Sequence, residues 1–146
     1  MSRPKEFPAL ESFPFRSRQQ LRFADTDAVG HVNNAIFATL FEAARVEFLF
    51  EPGHPVLSPG TQFVVARIAI DFVGELNWPG NVHVGSRIAR VGNSSFDLFQ
   101  AMYFQQKCVA VCDSVIVVMD QTTRKSSPLG AELSAYYRAC LGSGEA

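Results

Sequence analysis

The chain has 146 residues, 47% of them hydrophobic, with 13 Phe and a charged fraction of 18%. That length suits one domain with a substantial core, and the charged fraction falls below the typical quarter, leaving little polar surface for a monomer. Thirteen basic against 14 acidic residues give a formal net charge of -1, which excludes a general nucleic-acid binder built on a basic footprint.

Residues 1–17 carry Pro4, Pro8 and Pro14 among scattered Phe and read as an extended arm, because Pro removes donors and blocks helix. Residues 18–146 then read as a single domain. Leu21 and Phe23 alternate with Gln20 and Arg22, the pattern of a half-buried strand over 18–23. After a polar stretch at 25–34, Phe37, Phe41 and Phe48, with Ile36, Leu40 and Ala44 beside them, form one wide helical stripe. Asn33 or Asn34 offers the N-cap and Pro52-Gly53 the stop. The stripe predicts a largely enclosed helix, with Arg45 in reach of Glu42 at i+3.

Residues 51–61, with three Pro and two Gly, are a loop. Four strands are predicted next, over 62–73, 82–91, 95–104 and 108–119. In the first, Val64, Ala66, Ile68, Ile70 and Phe72 share a face opposite Arg67 and Asp71. Turn signals at 77–80 and 92–93 space the four as a meander, which implies antiparallel pairing. A short helix over 131–141 ends the chain, with Tyr136, Tyr137 and Leu141 available for packing. One long helix wrapped by one curved antiparallel sheet is an α+β domain, and its sheet edges need a partner or protection. Homodimerisation is the economical solution.

Cys108, Cys112 and Cys140 include no CxxC pair. Cys108 and Cys112, four apart in a strand, are predicted to share a face ~13 Å apart, too far to bridge. Buried free thiols in a reducing, cytoplasmic compartment fit better. His31, His54 and His83 show no HxxxH spacing, so no metal is expected. No signal-peptide core is present, and no run approaches the ~18 apolar residues of a membrane span.

The stretch 25–34 packs two carboxylates, a Gly, an imidazole and two amides between two core-forming elements. A connection needs Gly, Asn and Asp for backbone geometry but has no use for a His. The plainer alternative makes Asp25 and Asp27 turn formers and an Asn the cap.

In order and spacing, Asp25-Thr-Asp27-Ala-Val-Gly30-His31-Val-Asn33-Asn34, then Phe41-Glu42-Ala-Ala-Arg45-Val-Glu47-Phe48, resembles the hotdog-fold acyl-CoA thioesterases. The subgroup is the 4-hydroxybenzoyl-CoA thioesterase-like one, with its D-x-D-x-x-G-H-V-N-N and F-E-x-A-R signature. The resemblance continues through Ile70-Asp71-Phe72 and Gly92-Asn93-Ser94-Ser95-Phe96, covering about residues 18–120. It implies a homodimer, often a dimer of dimers, with acyl-CoA at the dimer interface and hydrolysis without metal or organic cofactor. By position Asp27 matches the catalytic carboxylate, Asn34 falls where related subgroups place His or Tyr, and His31 completes the catalytic set. Asn33, Ala35, Phe37, Arg90 and Ser95 are the implied substrate-binding residues. The basic cluster that some relatives use for CoA phosphates is replaced by Asn93 and Ser94, with only Arg90 upstream.

The residues fit this chemistry independently. Thioester hydrolysis needs a carboxylate that attacks the carbonyl or activates water, and donors for the oxyanion. A helix starting near Asn34 offers unpaired N–H groups and a positive dipole end, and Phe37 with its neighbours an apolar wall. The plainer roles are loop-ordering for His31, pairing with Arg45 for Glu42, and strand surface for Arg67, Arg87 and Arg90. Two other readings compete. A hotdog hydratase would need a D-x-N-P-x-H pattern, which is absent here. A catalytically silent acyl-CoA-binding or structural module is separated from the enzyme by release of free thiol from CoA thioesters.

Overall fold

The helix predicted from the Phe spacing is present as α1, Asn34–Leu49, in a computed structural model that describes residues 6–143. Asn33 is its cap, with a side chain that accepts from the Ala35 N–H. Phe37, Leu40, Phe41, Ala44, Phe48 and Leu49 are buried, each large side chain contributing about 1.5–3 kcal/mol. One flank stays open, with Glu42, Val46 and Phe50 exposed, so the helix is less enclosed than its sequence predicts.

The sheet beneath it has five antiparallel strands: β1 (Phe15–Gln20), β2 (Thr61–Phe72), β3 (Asn81–Val91), β4 (Ser95–Phe104) and β5 (Lys107–Asp120). Their order is β1-β3-β4-β5-β2, the hotdog arrangement of one long helix on a curved sheet. A C-terminal helix, α2 (Ala131–Ser143), buries Leu133 and Tyr137 against one end of the core.

Several expectations need correction. The first strand ends at Gln20, and Phe23–Asp25 is a 3₁₀ turn. Leu21 is buried as expected, but Phe23 is 71% exposed, because the chain leaves the sheet between them. The arm is extended only in part: Leu10–Ser12 is a 3₁₀ turn and β1 begins at Phe15, while residues 1–5 lie outside the described residues. β2 and β3 do not form a hairpin. β2 pairs with β5 and β3 with β1 and β4, so β2 and β3 stand three strand spacings apart, ~14 Å. Residues 73–80 make that crossing and bury Leu76. In β2 a register shift between Val65 and Arg67 breaks the predicted alternation, and Ile68 and Phe72 are exposed.

The core divides. One cluster gathers around Phe37, Leu40, Phe41, Val84 and Met102, and another around Phe48, Leu98, Ile116 and Tyr137. Between them lies a polar layer. Arg45 donates to Gln100 Oε1 at 3.3 Å, and Gln100 Nε2 donates to the Phe41 carbonyl and Ser86 Oγ at 3.2 and 3.1 Å. The expected Glu42–Arg45 pair is absent among the described residues, for the guanidinium points inward to Gln100.

A third cluster covers the outer face of the sheet, where Phe13 packs with Phe99 and Tyr103. Gly85 makes room for it: a Cβ there would meet the Phe13 ring at 2.3 Å. Cys108 belongs to this outer cluster and Cys112 to the inner one. They do not share a face, because the register shifts between Met102 and Tyr103. Among the described residues the three cysteines form no disulfide.

Candidate active site

The polar stretch 25–34 is shaped by its own backbone. Asp25 is buried, and its carboxylate accepts from the Arg22 N–H at 2.8 Å and from Arg22 Nη2 and Nε at 2.8 and 3.1 Å. Burial disfavours the charge, but the Arg22 hydrogen bonds outweigh it and hold the carboxyl below its ordinary 3.8. The Asp25 carbonyl accepts from the Asn33 N–H at 2.9 Å, tying the start of the turn to the helix cap. Asp25 is thus a structural member of the turn.

Asp27 is exposed. Its Oδ1 accepts from the Val29 and His31 N–H groups at 3.0 and 3.2 Å, while Oδ2 has no partner among the described residues. Gly30 sits at φ +86, a conformation Gly adopts without steric penalty, and this closes the turn so that the Asp27 N–H donates to the His31 carbonyl at 2.8 Å. His31 Nε2 lies 3.1 Å from Glu75 Oε1, so the imidazole ties the turn to the 73–80 crossing. Val32 strengthens that tie by donating its N–H to the Leu76 carbonyl at 2.9 Å.

The start of α1 leaves an open donor at Asn34. The N–H groups of Asn33, Ala35 and Ile36 bond to the Asp25 carbonyl, Asn33 Oδ1 and the Asn33 carbonyl. The Asn34 N–H has no partner among the described residues. It sits at the positive end of a 16-residue helix, where an oxyanion is favoured.

Asp27, His31, Asn33, Asn34 and Ala35 therefore gather at one end of α1. Phe37 is buried, with its ring edge-on to Phe72 at 5.1 Å. Arg90 and Ser95 lie elsewhere. Arg90 forms a two-pronged pair with Asp97, both contacts at 3.0 Å, and also reaches Ser95 Oγ at 3.2 Å. Arg90 stands nine positions along β3 from Asn81 near the turn, ~30 Å along the strand.

Sequence reasoning missed Glu75, which holds His31, and the apolar rim formed by Phe23 and Trp78, whose rings meet edge-on at 5.3 Å. Glu75 carries no local signature; Trp78 was visible only as part of a turn. It also missed a cavity of about 760 Å³ between the C-terminal half of α1, the loop 51–60 and the start of β2. Its lining is mostly apolar, including Val46, Leu49, Phe63 and Ile116, and it also includes Glu42, Arg45, Glu51 and His54. The cavity begins at Glu42, ~12 Å along α1 from Asn34. Among the described residues no group of three His, Cys, Asp or Glu could hold a metal, and no helix is long and apolar enough to cross a membrane.

The architecture recurs in solved structures. The PA5185 protein of Pseudomonas aeruginosa shares 24% identity and superposes with a TM-score of 0.80 over 91% of this chain and 95% of that one. A thioesterase from Thermus thermophilus, solved in complex with coenzyme A and zinc, shares 31% identity with a TM-score of 0.76 over 90% and 98% of the two chains. The uncharacterized protein YsmA of Bacillus subtilis is 27% identical over 116 residues, 79% of this chain and 77% of its own. The model of the thioesterase-like superfamily matches residues 21–136, and the chain belongs to that superfamily.

Proposed function

We propose that the protein is an acyl-CoA thioesterase of the 4-hydroxybenzoyl-CoA thioesterase-like subgroup, hydrolysing a CoA thioester to free acid and CoA at the 27–35 turn. One observation carries the reading: an exposed carboxylate with an unengaged oxygen, Asp27, sits in the turn that leads into a helix whose Asn34 N–H is open.

In this mechanism the Asn34 N–H and the positive end of α1 polarise the thioester carbonyl. Asp27 attacks that carbon, or takes a proton from the water that does. The tetrahedral intermediate collapses with loss of the CoA thiolate. Attack by water gives the free acid directly. Attack by Asp27 gives a mixed anhydride on Asp27, which a water then hydrolyses to the free acid and the regenerated carboxylate. His31, held by Glu75, and Asn33, which caps the helix, fix the turn, and Ala35 and the Phe37 wall lie beside the acyl group. Arg90 and Ser95 would serve the substrate from a second copy that brings them to this turn. The CoA held by the Thermus thermophilus relative supports the substrate class.

The assembly proposed is a homodimer, extending to a dimer of dimers. Its support is edge strand β2, whose Val65, Ile68 and Phe72 are 41%, 44% and 49% exposed, an unprotected apolar edge that invites pairing. Cysteines held as thiols suit a reducing cytoplasm. The test is release of free thiol from short, medium, long and aromatic acyl-CoAs. Release from at least one, abolished by Asp27→Asn, is expected; no release from any would overturn the reading.

A further inference from the structure

We propose that Arg45 forms the far wall of the acyl pocket and binds a second carboxylate, so that the preferred substrates are CoA thioesters whose acyl group itself ends in a carboxylate. This rests on the thioesterase reading above and names its substrate class.

Arg45 is only 3% exposed, yet among the described residues no carboxylate lies within ion-pair distance of it. Its one hydrogen bond among those residues goes to a neutral amide oxygen, Gln100 Oε1, while the Gln100 amide nitrogen is spent on Phe41 and Ser86. A buried charge without a counter-charge is strongly unfavourable. A second buried polar group also lacks a partner: Ser114, on β5 two residues from Cys112, is 1% exposed and its hydroxyl has no partner among the described residues. Burial lowers the pKa of Arg45, and the nearby Glu42 carboxylate acts against that.

Arg45 is also a lining residue of the 760 Å³ cavity, whose other walls are largely aliphatic and aromatic. Its size is typical of small-molecule sites, and besides Arg45 its polar lining is Glu42, Glu51, His54, Ser58, Thr61 and Gln62. His54 has both ring nitrogens engaged, by Pro55 and Tyr137, and Glu51 accepts from the Tyr136 hydroxyl at 3.4 Å. Glu42, exposed and unpaired among the described residues, stands one helical turn away. Both carboxylates lower the attraction for an anion without supplying Arg45 with a partner. A ligand carboxylate matches the donor fork of a guanidinium. A neutral oxygen would leave the charge uncompensated.

Arg45 lies ~16 Å along the helix from Asn34. A carbonyl held by the same helix would reach it through a chain of about a dozen carbons, given ~1.5 Å C–C bonds. A carbonyl held by the partner subunit would set a different length.

Matched pairs test the idea: adipoyl- against hexanoyl-CoA, sebacoyl- against decanoyl-CoA, and tetradecanedioyl- against tetradecanoyl-CoA, compared by kcat/KM. We expect the diacid member of at least one pair to be favoured tenfold or more. Arg45→Met should reverse that preference, and Glu42→Gln should strengthen it. If Arg45→Met does not fold, Arg45→Lys, which keeps the charge without the fork, should weaken it. Equal or reversed selectivity in the wild type, with hydrolysis present, overturns the proposal and leaves the thioesterase reading intact. If no thioester is cleaved, thermal stabilisation by free dodecanedioate but not by dodecanoate still supports the site, and equal response to both overturns it. A wild-type dimer that becomes monomeric with Glu42→Gln shows Arg45 already occupied by Glu42 of the partner subunit, and overturns it too.

Discussion

Asp25 and Asp27 stand two residues apart with opposite surroundings: Asp25 is buried against Arg22, while Asp27 is exposed with Oδ2 unengaged among the described residues. Substitution should separate them cleanly. Asp27→Asn keeps the shape of the turn and is expected to leave melting unchanged while lowering turnover by about 10²–10⁴-fold, the range for losing a general base. Asp25→Asn should instead cost roughly 1.5–3 kcal/mol, as for hydrogen bonds to a charged group, because the Arg22 contacts and the tie to the helix cap weaken. Thermal melts paired with thiol-release rates check both. The Asp25 carboxyl is held below its ordinary value, so its contribution is present above pH 3.8 and lost as pH falls through the folded value.

A second titration is built into the cavity wall. His54 Nδ1 donates to the Pro55 carbonyl and Nε2 meets the Tyr137 hydroxyl, both at 2.9 Å, contacts that the neutral imidazole satisfies with the hydroxyl donating. Burial pushes its pKa below 6.5, more than the Pro55 hydrogen bond and Glu51 raise it. With a depressed folded pKa, the stability contribution is complete above pH 6.5 and declines as pH falls below it toward the folded value. The melting temperature should drop over that interval in the wild type and drop less in His54→Gln. Tyr137→Phe strands Nε2 in the core and should cost about 1–3 kcal/mol at neutral pH.

Gly85 offers a test of the outer face. Its Cβ position is occupied by the Phe13 ring, which also stacks on Phe99 and lies under the Arg87 guanidinium. Gly85→Ala must expel Phe13, at a cost of about 1–3 kcal/mol for an overpacked site. Limited proteolysis should then cut within residues 6–14 faster than in the wild type, with the rest of the chain intact.

Edge strand β2 carries the proposed dimer. Replacing Val65 and Ile68 together by Lys puts two charges on its exposed apolar surface and should give a monomer by light scattering. If the substrate site is shared between subunits, activity should fall with it. An unchanged dimer would place the interface elsewhere.

Local patterns in the sequence were reliable wherever the partner was also local. The spacing of Phe37, Phe41 and Phe48 gave α1, and the alternation of Phe96, Leu98 and Met102 gave β4 with the observed bounds. Asp27, His31, Asn33 and Asn34 stood out because polar residues were dense between two apolar patterns, and the fold does bring them to one helix end. Long-range pairing was not legible. Nothing near β2 announces that its neighbour is β5, whose paired residues lie 38 to 59 positions on. Arg45 has a plausible local partner at Glu42, yet bonds to Gln100, 55 positions later. The cavity depends on the Pro-rich loop 51–60 lying over the start of β2, a tertiary relation with no periodic signature. Phe23 misled because alternation continues in the sequence past the point where the chain leaves the sheet.

The polar layer of Arg45, Gln100 and Ser86 has a consequence for how this fold can change. It divides the interior into two apolar compartments, so a volume change near Phe48 or Leu49 is not passed by direct packing to Phe37 or Leu40. Substitutions in separate compartments should combine additively. The end of α1 that bears the cavity is thereby insulated from the end that bears Asp27. Lineages carrying this core can reshape the one while leaving the other unaltered.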